Sequence, residues 1–205
     1  MTHMIDWYSG GRKTIFIADR GYETYNIFAH VQEKDMYYLI RVKDSGSGSM
    51  AGSFRLPEKE EFDHTMHLLL TRKQTNKVKA HPELYKILDK KSPFDYVDLQ
   101  ERLFYPLDFR VIRFAITESS YECIITNLPQ EDFTMEEIKK LYAMRWGIET
   151  SFRELKYAIG LACFHSKKVE YIMQEIYARL ILYNYCEIIT MNVVIHQKDT
   201  KHVYQ

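Results

Sequence analysis

A tyrosine, an arginine, a glutamate and a lysine stand at Tyr142, Arg145, Glu149 and Lys156. At about 100° per residue, one continuous helix places all four within an arc of about 60°. Glu149 is a hard oxygen donor suited to Mg²⁺ or Mn²⁺. Arg145 can grip a phosphate with its planar fork, and Lys156 adds a point charge two turns further on. Tyr142 can donate to a phosphate oxygen or stack on a base. These groups suit phosphodiester chemistry. They also suit a plain solvated helix face, with Arg145 and Glu149 at the spacing of an i,i+4 ion pair. Periodicity alone favours the plainer account. Gly147, which weakens a helix by about 1 kcal/mol against Ala, hints at close approach by another group, with a merely tolerated Gly as the plainer account of that residue alone.

A second acid is placed by a strand. Thr14-Ile-Phe-Ile-Ala-Asp19 is an apolar run that ends in a carboxylate, and active sites of α/β sheets gather at such strand ends. Asp is also an ordinary turn former there. Arg20-Gly21 supplies a turn, Tyr22 to Lys34 reads as a helix facing inward through Ile27, Phe28 and Val31, and Met36 to Val42 reads as a second strand. This strand–helix–strand order predicts an α/β sheet. After the flexible Asp44–Ser49 stretch, Met66–Thr71, Phe109–Thr117 and Tyr121–Thr126 read as strands. The last two form a hairpin about Glu118-Ser119-Ser120. Pro82 to Leu88 is expected as a short helix. The segment as a whole reads as a mostly β insertion in the α/β core.

The last third is helical. Thr134-Met-Glu-Glu137 has capping-box spacing. It predicts one long helix from Met135 to Ile159, stopped by Gly160 and buried along Leu141, Met144, Ile148, Leu155 and Ile159. A second long helix is expected from Val169 to Val194. Divisions therefore fall at 1–43, 44–130 and 131–205.

Tyr142-x2-Arg145-x3-Glu149-x6-Lys156, with the text Met144-Arg-Trp-Gly-Ile-Glu-Thr-Ser-Phe-Arg-Glu-Leu-Lys156 and then Phe164-His-Ser-Lys-Lys168, resembles the Tyr-Arg-Glu-Lys signature of bacterial insertion-sequence DDE transposases of the IS-four-like group. Asp19-Arg20-Gly21-Tyr22 resembles their second-Asp motif. The resemblance covers nearly the whole chain and implies a partial ribonuclease H-like core interrupted by the mostly β insertion and completed by the long C-terminal helices. It implies that Asp19 and Glu149 are the second and third catalytic, metal-binding acids, with two Mg²⁺ or Mn²⁺ ions in the complete enzyme. Tyr142, Arg145 and Lys156 would hold transposon-end DNA; Arg20 is a further candidate, and Lys167 and Lys168, with His165, form a small basic patch that reads equally as a contact to the DNA backbone and as a solvated helix start. The implied reaction is nicking at the element end followed by attack of the freed 3′-OH on target DNA, in a synaptic complex of two copies in the bacterial cytoplasm, at the nucleoid.

Such a site needs an earlier Asp, with two strands between it and the second. Asp6 lies too close to Asp19 for that and is expected as a surface turn residue. The chain is therefore expected to be the C-terminal part of a catalytic domain, with little or no activity alone. The alternative of a different class is a non-catalytic DNA-binding remnant. A metal nuclease that draws its third ligand from within the chain is a weaker third account.

Composition fits these readings. Of 205 residues, 46% are apolar and 27% charged, as in ordinary globular proteins. The 28 basic and 28 acidic residues cancel, so a DNA enzyme would need a local basic stripe. No apolar stretch approaches the roughly 20 residues that span a bilayer. Cys123, Cys163 and Cys186 read as reduced, buried thiols. His64, His67, Cys163 and His165 lack the partners of a metal site.

Overall fold

The computed structural model describes residues 1–9, 11–44 and 48–193. The chain divides into two compact units, Met1–Arg145 and Trp146–Gln205.

The first unit is built on a six-stranded sheet with the order β1-β2-β6-β5-β3-β4. The strands are β1 (Ile15–Ala18), β2 (Tyr37–Val42), β3 (Phe62–Thr71), β4 (Tyr85–Ile87), β5 (Tyr105–Thr117) and β6 (Ser120–Thr126). Two parallel pairs form the edges, β1 with β2 and β3 with β4, and antiparallel ladders join them. The β2 run is apolar almost throughout because both its faces are covered. Its side chains alternate between two clusters. Tyr38, Ile40 and Val42 join Cys123, Ile125 and Val111 on one face. Leu39 joins Ile112, Phe114 and Ile124 on the other. Helix α2 (Tyr25–Glu33) buries Ile27, Phe28 and Val31 against the first face, as its periodicity predicts. Helix α4 (Met135–Ala143) covers the second with Ile138 and Tyr142. The expected hairpin is present, with Thr117 opposite Ser120.

Helix α4 opens with the expected capping box, in which the Glu137 backbone N–H donates to Thr134 and the Glu137 side chain accepts from the Thr134 backbone. A Thr134→Ala variant should lose about 1 kcal/mol, the usual worth of such a cap. Thermal melts would show this as a small fall in Tm.

Several expectations need correction. Pro82 to Leu88 does not form a helix. Tyr85–Ile87 pairs in parallel with Leu69–Thr71 of β3, whose edge away from β5 offers a free ladder to an extended segment. A short helix α3 (Asn76–Ala80), capped by Thr75, makes the crossover. Second, Asp6 is not in a turn. It lies on α1 (Thr2–Trp7), anchored by Ile5, which is wholly buried in the core. Third, only Cys123 is a buried thiol, pushed up to about 12 by burial, while Cys163 and Cys186 are exposed.

Helix α1 is tied down by charge. His30 Nδ1 lies 2.8 Å from Asp6 Oδ1, and its Nε2 lies 2.8 Å from Asp95 Oδ2. The imidazolium is the form that can donate to both carboxylates. Burial favours the neutral ring, but Asp95 and Asp6 outweigh it and hold His30 above its ordinary value. The hydrogen bond from His30 holds Asp95 below the usual carboxylate range. The clamp therefore stabilises fully below the unfolded His value of roughly 6.5 and is lost as pH rises through the raised folded value. At the acid end it fails as pH falls through the lowered value of Asp95. Amide exchange of residues 2–7 should accelerate at alkaline pH in step with the NMR titration of His30, and His30→Gln should remove that pH dependence.

The second unit begins with α5 (Trp146–Arg153), passes into a π-helical turn at Glu154–Ala158, and after Gly160 (φ 76°) continues to α6 (Val169–Met191). Gly160 ends the helical run as predicted. The single helix from Met135 to Ile159 is not observed: α4 stops at Ala143, and α5 starts anew at Trp146. The break falls beside Gly147, where helix propensity is weakest, and next to Arg145, whose side chain is buried in the first unit. One wheel therefore does not describe the whole stripe. Met144 and Ile148, expected on a core face, are 67% and 47% exposed. The expected end of the last helix at Val194 lies outside the described residues. Among the described residues no helix is long and apolar enough to cross a membrane.

Candidate active site

Asp19 follows β1 directly, where the chain leaves the sheet. Its Oδ1 accepts the Arg20 backbone N–H at 2.6 Å and so caps the tight turn Arg20–Tyr22. Because β1 and β2 are parallel, both deliver their C-terminal ends to the same edge region, the usual place for α/β active sites. There Arg41 of β2 meets the same oxygen, with Nε at 2.9 Å and Nη2 at 2.7 Å. Its Nη1 reaches Glu122 Oε1 of β6 at 3.1 Å. Period-two alternation explains the meeting: Leu39 and Arg41 on β2 share the face of Ile124 and Glu122 on β6, the face that α4 covers. The last turn of α4 brings Tyr142, and the break after it brings Arg145, whose Nη1 lies 3.7 Å from Asp19 Oδ2.

The result is a compact group of two carboxylates and two guanidiniums beneath a tyrosine. Burial alone would raise the Asp19 carboxyl, but the Arg20 N–H and the charges of Arg41 and Arg145 outweigh it, so Asp19 sits below its ordinary value. Tyr142 is raised by burial, against the pull of Arg41 and Arg145. Its hydroxyl is buried and meets no hydrogen-bond partner among the described residues. Such a hydroxyl costs about 1–3 kcal/mol and is uncommon in a folded protein. Arg145 stacks toward the same ring, 5.7 Å from its centroid.

Sequence reasoning named Asp19, Arg20, Tyr142 and Arg145, and the first unit holds all four; Asp19, Tyr142 and Arg145 form one cluster, with the Arg20 backbone bound to Asp19. It missed Arg41 and Glu122. The available signal was slight: one Arg inside the otherwise apolar run Tyr-Tyr-Leu-Ile-Arg-Val.

The second unit carries Glu149, Lys156, Lys167 and Lys168. Glu149 is exposed in the first turn of α5, where the helix dipole favours an acid. Lys156 is exposed within the π-helical turn, a distortion frequent at functional positions. Lys167 and Lys168 are exposed at the start of α6. The loop before them is fixed from α6. Arg179 donates to the carbonyls of Gly160 and Cys163, and Glu175 accepts the backbone N–H groups of His165 and Ser166.

Among the described residues no three His, Cys, Asp or Glu side chains converge tightly enough to hold a metal ion. Asp19 fits such an ion as a single donor: it is a hard oxygen, favoured in the ionised form and 41% exposed at the side chain. The two arginines would compete with a cation for it.

The model of the transposase DDE domain family matches residues 1–185. A transposase for insertion sequence element IS421 of Escherichia coli is 29% identical over 73 residues, which is 35% of this chain and 20% of that relative. InsL of insertion sequence element IS186A in Escherichia coli strain K12 matches to the same extent. The matched part thus spans about a fifth of the length of these curated relatives. No solved structure matches.

Proposed function

Because the chain belongs to the transposase DDE domain family, we propose that it supplies the second and third acids, Asp19 and Glu149, of a divalent-metal site that cuts and joins DNA at transposon ends. The observation that carries this reading is the Asp19–Arg41–Arg145–Tyr142 cluster. It joins a strand-end carboxylate to two of the four residues of the Tyr-Arg-Glu-Lys pattern. The mixed α/β sheet suits the later part of a ribonuclease H-like core, with 1–43 and 131–205 as core and 44–130 as insertion.

Mg²⁺ or Mn²⁺, when bound, would activate the attacking oxygen and stabilise the leaving one. The protein's own residues do the rest. Asp19 and Glu149 are the carboxylates that would hold the ions. Arg41 positions Asp19 through its bond to Oδ1 and is itself oriented by Glu122. Tyr142 and Arg145 are the hydroxyl and the guanidinium proposed for a phosphate. Lys156, Arg20, Lys167 and Lys168 neutralise backbone phosphates of the bound end. Pairing of two copies about two ends belongs to the same reading. Asp6, hydrogen-bonded to His30 on α1, is not one of the acids proposed for the site.

One observation favours the alternative of a non-catalytic DNA-binding remnant: arginines face both Asp19 oxygens. Cleavage of duplex DNA in Mg²⁺ or Mn²⁺ separates the two. The assay compares the chain alone with the chain joined to the coding sequence upstream, each beside a Glu149→Gln control. Cleavage by the joined protein only, abolished by the control, supports the proposal. Cleavage by the chain alone that depends on Glu149 means that its third ligand lies within these residues. Cleavage by neither favours the remnant.

A further inference from the structure

The chain as a whole is neutral, but its charge is not evenly spread. Residues 72–91 hold seven Lys and Arg against two acids, Glu83 and Asp89, a net charge of +5 in a chain whose total is zero. These residues leave β3, cross over through α3 and complete β4, the strand at one edge of the sheet. They are remote in sequence from both the Asp19 cluster and the Tyr142–Lys156 pattern.

The parallel pairing of β3 and β4 gathers part of this charge. Parallel strands end on the same side, so Arg72 and Lys73 after β3 emerge beside Lys90 and Lys91 after β4. The backbone confirms the neighbourhood: the Leu88 N–H donates to the Thr71 carbonyl, and Arg72 donates to the carbonyls of Asp89 and Ser92 at 2.7 and 3.0 Å. Those acceptors are neutral, so they fix the position of Arg72 without cancelling its charge. Lys77 and Lys79 stand exposed on α3, and Lys90 and Lys91 are exposed in the turn after β4. None of these four lysines makes an ion pair among the described residues. Glu83 is engaged by His81 at 2.9 Å and faces Arg55 at 3.8 Å.

We propose that this basic end of the β3–α3–β4 unit is a second nucleic-acid contact, which holds duplex DNA through its phosphates without reading sequence. Exposed lysines on a neutral protein are point charges suited to a phosphate backbone. Among residues 72–91 the exposed large apolar side chain is Leu84, at 40%, which is too little for a protein core contact or a bilayer. The inference rests on the transposase reading only for the identity of the polyanion.

The test is the salt dependence of binding to a duplex of unrelated sequence, in EDTA, so that metal chemistry and cleavage play no part and the catalytic reading is tested separately. Each phosphate contact contributes about 0.9 to the slope of log K against log salt. Replacing Lys77, Lys79, Lys90 and Lys91 together by Gln should lower the slope by about 3 to 4 and weaken binding at low salt by tenfold or more, while the four-fold Lys→Arg variant keeps both. An unchanged slope in the Gln variant, with an unchanged melting curve, overturns the proposal. So does equal binding of the wild type to polyglutamate, which would point to an acidic protein as partner.

Discussion

Glu149→Gln and Asp19→Asn should each lower metal-dependent DNA cleavage by roughly 10²–10³-fold or more, the scale on which loss of one group that stabilises transition-state charge acts. Each change keeps the size of the side chain and removes its negative charge. The two differ in what else they disturb. Glu149 is exposed on α5, where solvent screens what its charge contributes to stability. Asp19 pairs with Arg41 and faces Arg145, so Asn there removes a carboxylate that both guanidiniums meet, and some stability should go with activity. The measurement is single-turnover cleavage by the joined protein beside thermal melts of the same variants. Cleavage within a few-fold of wild type in both would remove the two carboxylates from the chemistry.

The largest expected effect on folding lies elsewhere. Arg110 of β5 makes a two-pronged ion pair with Asp63 of β3, with Nε at 3.0 Å from Oδ1. It also donates to the carbonyls of Leu128 and Phe133 at 2.9 and 3.0 Å. The Arg110 side chain is only 5% exposed and that of Asp63 only 12%. Arg110→Met would strand a carboxylate and two carbonyls in a dry setting. Breaking one partner of such a buried pair costs roughly 3–5 kcal/mol. Urea titration should show the midpoint collapse. Removing Asp63 as well, as Asn, should return part of the loss, because the charge left uncompensated is then gone. A single variant as stable as wild type would show that the pair contributes nothing.

Much of the first unit was legible in the sequence, for identifiable reasons. Strand β2 and helix α2 announce themselves because their apolar residues follow the periods of the surfaces they bury. The β5–β6 hairpin is marked by its turn. The capping box at Thr134 and the stop at Gly160 are short-range motifs whose partners lie within a few residues. Illegible features depend on distant partners or on small differences in energy. Strand β4 has three residues and exists because β3 offers an edge. Asp6 looks like a loop residue until His30 and Asp95 are placed around it. The break at Met144–Arg145 lies beside Gly147, where helix preference is weaker by about 1 kcal/mol, a margin that a tertiary contact can override in either direction. At the candidate site, the sequence named Asp19, Tyr142 and Arg145 through their motifs, and the fold makes them neighbours. Arg41 and Glu122 went unnoticed because a charged residue on an apolar strand acquires meaning only when the facing strand and covering helix are known.

Titrating the chain with Mn²⁺ while following the paramagnetic broadening of its amide NMR signals asks whether Asp19 and Glu149 are the acids of a divalent-metal site. If they are, broadening should be selective for residues 17–21 and 147–151 and reduced by Asp19→Asn and by Glu149→Gln alike. Broadening that spares both segments, or that persists unchanged in both variants, would contradict that assignment.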